Sequence, residues 1–380
     1  MIKALDDSGI PLSLYIHVPW CVKKCPYCDF NSHAVKGELP EKAYLAALLI
    51  DLEYELSQDS RLIHTIFWGG GTPSLLSPET VNEVMAYLHQ SKRLAADCEV
   101  TLEANPATLE SQKWHGFFQA GINRLSVGVQ TFEPERLKQI GRVHSSEQAI
   151  ATIEMAHKVG FQRINLDLMF GLPGQTVAQA SADIQQALSL QPHHISYYQL
   201  TIEPNTLFYQ QRPTLPEDEL IWDMYESGQA QLEKQGYQQY EVSAYAQKGQ
   251  ACRHNLNYWL FGDYMAVGPG AHGKRTEQGI CRYSKPRHPQ AYIDAMTAGE
   301  VPALQASDAV LSEFMMNALR VKAGFDPHLL FSRAGVSFAE FEKLAEEACK
   351  KSLLQVSPQR IKPTPQGWRH LNELMLCFFA

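Results

Sequence analysis

A chain of 380 residues with 45% hydrophobic and 19% charged residues is too apolar for disorder and too long for one small core, so two or three domains, or one large barrel with an appendage, are expected. A net charge of −8 argues against nucleic acid as the main partner, because phosphate binding needs a basic face. No apolar run approaches the roughly 18–20 residues of a membrane span, and Met1 to Ile10, with Asp6 and Asp7, lacks the apolar stretch of a signal peptide; a cytoplasmic location with at most transient membrane contact is expected.

In chain order, strand-like apolar runs alternate with stretches of helical period. The predicted strands are Leu12–Val18, Thr65–Trp68, Cys98–Glu103, Arg124–Gln130, Arg163–Met169 and Ile195–Leu200. The predicted helices between them are Pro40–Leu56, Pro78–Leu88, Thr108–Ala120, Ser145–Val159 and Thr176–Leu190. Thr108 and Ser145 are N-cap candidates, Ser145 with Gln148 forming a capping box, and Gly121 and Gly160 sit where left-handed C-caps belong. Repeated strand–helix units predict an α/β fold with a parallel sheet and right-handed crossovers, a partial (β/α)6 TIM-like barrel short of full closure; an open doubly wound sheet competes. Pro213–Asp218 breaks the chain before a helix at Glu219–Gln235. Tyr237–Gly273 reads as strands and loops. Beyond about Val301 the helical stretches Leu311–Val321, Phe338–Lys350 and His370–Phe379 predict a smaller, mainly helical, winged-helix-like domain. The expected division is 1–237 for the barrel, 238–300 for an extension of it, and 301–380 for the terminal domain.

Of eight cysteines, five are scattered and three, Cys21, Cys25 and Cys28, crowd the loop after the first strand. A C-x3-C-x2-C loop can hold three irons of a [4Fe–4S] cluster and leave the fourth open to an amino acid chelating through its amino and carboxylate groups, which is how S-adenosylmethionine docks. Structural zinc is the competing reading, but zinc usually takes paired cysteines and no second pair is present. The glycine run Gly69-Gly70-Gly71 lacks the Gly-Lys-Ser/Thr of a phosphate-binding loop. Glu103, Gln130 and Asp167 lie at or near predicted strand ends, where side chains of a parallel barrel converge on one face, and Arg142 follows closely enough to meet a carboxylate.

The cysteine triad with Tyr27 before its last member resembles the radical SAM superfamily. Trp68-Gly69-Gly70-Gly71-Thr72-Pro73-Ser74, Glu103-Ala104-Asn105-Pro106, Ser126 to Phe132, Gly141-Arg142 with His144, and Asn165 to Gly174 narrow the resemblance to one branch. That branch holds oxygen-independent coproporphyrinogen III dehydrogenase (HemN) and a heme-chaperone family (HemW). The resemblance covers essentially the whole chain. It implies a [4Fe–4S] cluster on Cys21, Cys25 and Cys28, and S-adenosylmethionine against Tyr15, Tyr27, Gly70, Gly71, Thr72, Glu103, Gln130, Arg142 and Asp167.

Two features separate the relatives. The resemblance implies a further cysteine two positions after the third ligand in the dehydrogenase; Phe30 stands there, within Cys28-Asp29-Phe30-Asn31-Ser32-His33, as in the chaperone family. The string His254-Asn255-Leu256-Asn257-Tyr258-Trp259 resembles the chaperone motif linked to heme. The resemblance therefore implies a heme chaperone that delivers heme to an acceptor hemoprotein, with a membrane-associated respiratory enzyme as the expected acceptor; a radical decarboxylase acting on coproporphyrinogen III is the alternative. From the residues, His254 is the first candidate for axial ligand and Tyr258 and Trp259 for an apolar wall. Arg253, Lys274 and Arg275 are candidates for facing the propionates, and Cys252, His193, His194 and His272 remain open as ligands. Gly268-Pro269-Gly270-Ala271-His272-Gly273 reads as a close-approach turn near the cofactor.

Overall fold

The computed structural model describes residues 9–106, 113–277 and 279–379. Six strands form the parallel heart of the molecule: β1 (Leu12–Val18), β4 (Ile63–Gly70), β5 (Leu94–Ala104), β6 (Arg124–Gln130), β7 (Ile164–Phe170) and β8 (His194–Gln199). Two short strands, β2 (Trp20–Cys21) and β3 (His33–Ala34), lie between β1 and β4 in sequence and pair separately with each other. The six are neighbours in chain order, each pair parallel, with helices in the crossovers. This is the incomplete (β/α)6 barrel expected from the alternation. Its strands are buried on both faces, which is why β6 reads as an unbroken buried run.

The sheet grows beyond the six. On the β8 edge, β9 (Gln238–Glu241) and β10 (Ala244–Ala246) add antiparallel strands. On the β1 edge, β11 (Asp263–Val267) is parallel to β1, and β12 (His272–Thr276), β13 (Ile280–Ser284) and β14 (Gln305–Ala306) follow antiparallel, making twelve strands in all among the described residues.

Local chemistry sets the helix ends. Ser145 and Gln148 form the expected capping box, and the helix Ser146–Val159 stops at Gly160, whose φ of 106° is left-handed. Thr176 and Gln179 form a second capping box. The Thr108 cap falls outside the described residues; its helix is described over Trp114–Gln119. The expectation of strands and loops over Tyr237–Gly273 is corrected, because Arg253–Trp259 is a helix. Its side chains are modest helix formers. Its first turn is capped from outside, with the Glu99 carboxylate of β5 accepting from the backbone N–H of Arg253 at 2.9 Å and of His254 at 3.2 Å.

A second apolar core includes Phe314, Leu319, Phe325, Phe341, Leu353 and Leu374. The stretch expected as one helix at Phe338–Lys350 is two, Phe338–Leu344 and Glu346–Lys350. A hairpin of β15 (Leu354–Val356) and β16 (Ile361–Pro363) joins the helices. This core also takes in Phe261 and Ile280, so packing crosses the boundary expected near residue 301.

Candidate functional site

The loop after β1 is tied at both ends. β2 and β3 pair in parallel, Val35 N–H donates to the Cys21 carbonyl, and His33 N–H donates to the Pro19 carbonyl. Between these ties the loop turns through a Cys28 N–H to Cys25 carbonyl bond, and Cys21, Cys25 and Cys28 all line one cavity of about 250 Å³. Among the described residues, no three His, Cys, Asp or Glu side chains close round a single ion. Burial raises the pKa of the Cys21 and Cys28 thiols. Three soft sulfurs on one wall, with Arg142 Nη1 donating to Cys25 Sγ at 3.5 Å and Arg142 Nε buried without a partner, are a donor set that fits a [4Fe–4S] cluster with an open iron.

The other walls come from the carboxyl ends of successive strands, the place where parallel barrels gather functional groups. Tyr27, Gly70, Gly71, Thr72, Glu103, Gln130, Arg142 and Asp167 all line the same cavity. Glu103 Oε2 accepts from Gly70 N–H at 3.0 Å. Burial, and then the charge of Asp167, push Glu103 up to about 8. Asp167 is also raised by burial, although Asn165 and Ser126 donate to it. Two carboxylates held this way favour a cationic ligand, which would relieve both. Arg142 supplies the opposite charge and donates to Asn105 Oδ1 and the Gly128 carbonyl, both at 2.6 Å. Tyr198 donates to Gln130 Oε1 at 2.6 Å and orients that amide.

Some assignments move. Tyr15 does not line this cavity; it faces a neighbouring one and hydrogen bonds to His17 Nδ1 at 3.1 Å. Gly70 and Gly71 are also held by packing. A Cβ on Gly70 would meet the His17 ring at 2.4 Å, and one on Gly71 the Trp20 carbonyl oxygen at 2.5 Å, so both are demanded by close packing under the cysteine loop. The Gly268–Gly270 turn likewise clasps the loop: a Cβ on Gly268 would strike the His17 carbonyl, and Asn31 Nδ2 donates to the carbonyls of Pro269 and Arg287, both at 2.9 Å. Asn105 and Tyr198 line the cavity in addition to the expected residues. Asn105 directly follows the Glu103 strand end, a usable signal; Tyr198 sits in β8 with no motif around it.

The neighbouring cavity, about 860 Å³, is within the size range of ligand pockets and meets the first at Phe30, Gly70 and Glu103. Tyr258 and Trp259 line it. His254 does not. It is 1% exposed, hydrogen bonded through Nδ1 to Thr65 Oγ1 at 2.8 Å and stacked on Phe67, and burial lowers its pKa to about 3. Its Nε2 has no partner, but that atom is sealed from solvent. Cys252 is sealed beside Glu99. His194 is held between Asn165 and Tyr240, and His193 lies against His157. Of the expected propionate cations, Arg253 pairs with Asp97 and Arg275 is buried on Glu55; only Lys274 reaches the cavity, already bound to Asp263 at 2.7 Å. Strand alternation explains the split, because Lys274 and Arg275 are consecutive in β12 and point to opposite faces.

Known proteins resemble the chain in sequence and in fold. Residues 15–187 match the family model of the Radical SAM superfamily. The heme chaperone HemW of Escherichia coli strain K12 is 44% identical, the alignment covering 97% of this chain and 98% of that one. HemW of Bacillus subtilis strain 168 is 36% identical over 97% of this chain and 99% of its own. In structure, coproporphyrinogen III oxidase (HemN) from Escherichia coli superposes with a TM-score of 0.82, covering 97% of this chain and 90% of that one at 23% identity, which speaks for the fold.

Proposed function

The chain belongs to the HemW heme-chaperone family of the radical SAM superfamily, and from that premise we propose that it binds heme and passes it to an acceptor hemoprotein of the respiratory chain. Cys21, Cys25 and Cys28 hold a [4Fe–4S] cluster in this reading, and S-adenosylmethionine occupies the cavity they line. Such a cluster supplies an open iron for an amino-carboxylate chelate and electrons at that position. Arg142 faces the ligand carboxylate, Glu103 and Asp167 face its cationic groups, and Tyr198 holds Gln130 toward it. Heme takes the larger cavity, against Tyr258 and Trp259. Residues 1–237 act as the cluster barrel, 238–300 as the extension carrying the His254–Trp259 motif, and 301–380 as the terminal helical part. No helix among the described residues is long and apolar enough to cross a membrane, and we place the chain in the cytoplasm with transient contact at membrane acceptors.

One observation carries the reading: the cluster loop is part of both cavities. Phe30 lines each, and Asn31 bonds the backbone at Pro269 and Arg287 beside the larger one. Ordering of the loop as metal binds therefore reaches the heme walls directly. Heme transfer to an apo-cytochrome, compared between the reconstituted protein and a Cys21→Ser, Cys25→Ser, Cys28→Ser variant, tests it. Loss of transfer in the variant is expected; equal transfer would remove the cluster from the mechanism. Conversion of coproporphyrinogen III to protoporphyrinogen IX under reducing, anaerobic conditions would replace the chaperone reading with the decarboxylase.

A further inference from the structure

We infer that His272 is the axial ligand to the heme iron in the larger cavity and that Arg287 is the cation for a propionate. The inference rests on the heme-chaperone reading and assigns the contacts that His254, Arg253 and Arg275 do not supply.

Among the described residues, two histidines line this cavity, His17 and His272. Both ring nitrogens of His17 are engaged, Nδ1 by the Tyr15 hydroxyl and Nε2 by the Asn31 carbonyl at 2.8 Å. His272 is exposed, and its ring has no hydrogen-bond partner among the described residues. It opens β12 two residues before Lys274, so alternation turns both onto the cavity face, where Tyr264 and Arg282 are the cross-strand neighbours of Lys274. A turn with left-handed Gly268 and Gly270 fixes the start of the strand, and the Asn31 bond fixes the turn. Partial desolvation against the cavity wall, and then the charges of Arg287 and Arg282, lower the His272 pKa. The imidazole is therefore neutral at ordinary pH, the form that binds a metal.

The cations sort in the same way. Lys274 is buried on Asp263 and Thr276, and Arg282 is bound to Glu313 and Tyr264. Arg287 lines the cavity, is exposed, and makes no ion pair among the described residues. A carboxylate entering the cavity meets an uncommitted guanidinium only there.

The test is titration of the reconstituted, cluster-bearing protein with hemin, followed by affinity and by the ferric-heme electron paramagnetic resonance signal. Wild type is expected to take up hemin with an imidazole-ligated signal. His272→Ala should lose that signal and bind roughly tenfold more weakly, with added imidazole restoring the signal. Arg287→Ala should bind more weakly with the signal kept. His254→Ala, shown to be folded by circular dichroism, should keep the signal. Failure of wild type to bind hemin would sink the chaperone reading itself. A His272→Ala protein matching wild type in affinity and signal would leave that reading standing and overturn the ligand assignment, as would loss of the signal in folded His254→Ala alone.

Discussion

The cysteine-loop cavity and the helix Arg253–Trp259 are both marked by motifs in the sequence, yet the structure treats them differently. In the cavity, groups remain open to a ligand: three thiols on one wall, Glu103 raised by burial, and Arg142 Nε without a partner. In the helix, much of the motif is absorbed by the protein. His254 bonds Thr65, Asn257 donates to Ser13 and to the Asp263 carbonyl, and Glu99 caps the first turn. Only Tyr258 and Trp259 still face a cavity. The difference teaches that a motif marks where a site is, while the bonds its side chains already make decide which of them serve the ligand.

Several measurements can break or sharpen that contrast. The largest effect is expected at the cysteines: replacing Cys21, Cys25 and Cys28 by serine should take reconstituted iron from roughly four per chain to background, with the far-ultraviolet circular dichroism retained. Iron that stays bound would move the cluster elsewhere. The helix region should answer in stability instead. Glu99 is 1% exposed and pairs with Arg124 and Arg163 at 3.6 Å. Glu99→Ala leaves the Arg124 charge buried and the helix uncapped, so a loss of roughly 3 kcal/mol in chemical denaturation is expected, with iron content unchanged.

A third effect tests the open state of the cavity. Glu103 sits at about 8 without ligand, and a cation is bound by its carboxylate form. Below pH 8 binding must therefore displace a proton, and S-adenosylmethionine affinity should fall as pH drops, by up to about tenfold per unit, and level off above 8. Calorimetry in buffers of different ionisation enthalpy reads the released proton. Glu103→Gln should flatten the slope; an unchanged slope would assign it to another group. Asn31→Ala removes two hydrogen bonds from the cysteine loop to the Pro269 and Arg287 carbonyls, so stability should fall by roughly 1–2 kcal/mol while iron loading persists and the proposed cluster-dependent heme transfer weakens. The smallest effect is at Thr206, which is buried and accepts from Tyr209 N–H to start the helix Leu207–Gln211, whose Phe208 N–H donates to the Pro26 carbonyl. Thr206→Ala should cost about 1 kcal/mol, read as a shift in the denaturation midpoint.

Much of the barrel and of the first cavity was legible in the residues. β1 and β6 fall on Leu12–Val18 and Arg124–Gln130 as expected, because apolar residues at every second position (Leu12, Leu14, Ile16 and Val18; Leu125, Val127 and Val129) carry the period of a strand. Cys21, Cys25, Cys28, Gly70, Thr72, Glu103 and Gln130 were legible because they lie at or just beyond strand ends of a parallel barrel, whereas Asp167 sits inside β7 and Arg142 follows the helix Pro134–Gln139. Tyr15 falls outside the first cavity. It lies inside β1 rather than beyond its end, and faces the second cavity.

The sequence by itself determined the alternating strands and helices, the capping at Ser145 and Gly160, and a cysteine loop suited to three irons, because each follows from neighbours within a few residues. The tertiary structure alone decided that Glu99, more than 150 positions away, would start the motif helix, that His254 would be sealed behind Tyr258, and that His272 and Arg287 would face a cavity beside the cysteine loop. Those outcomes depend on which face of a strand or helix meets which partner across the sheet, and the free energy of that choice lies in contacts that no local stretch of sequence contains.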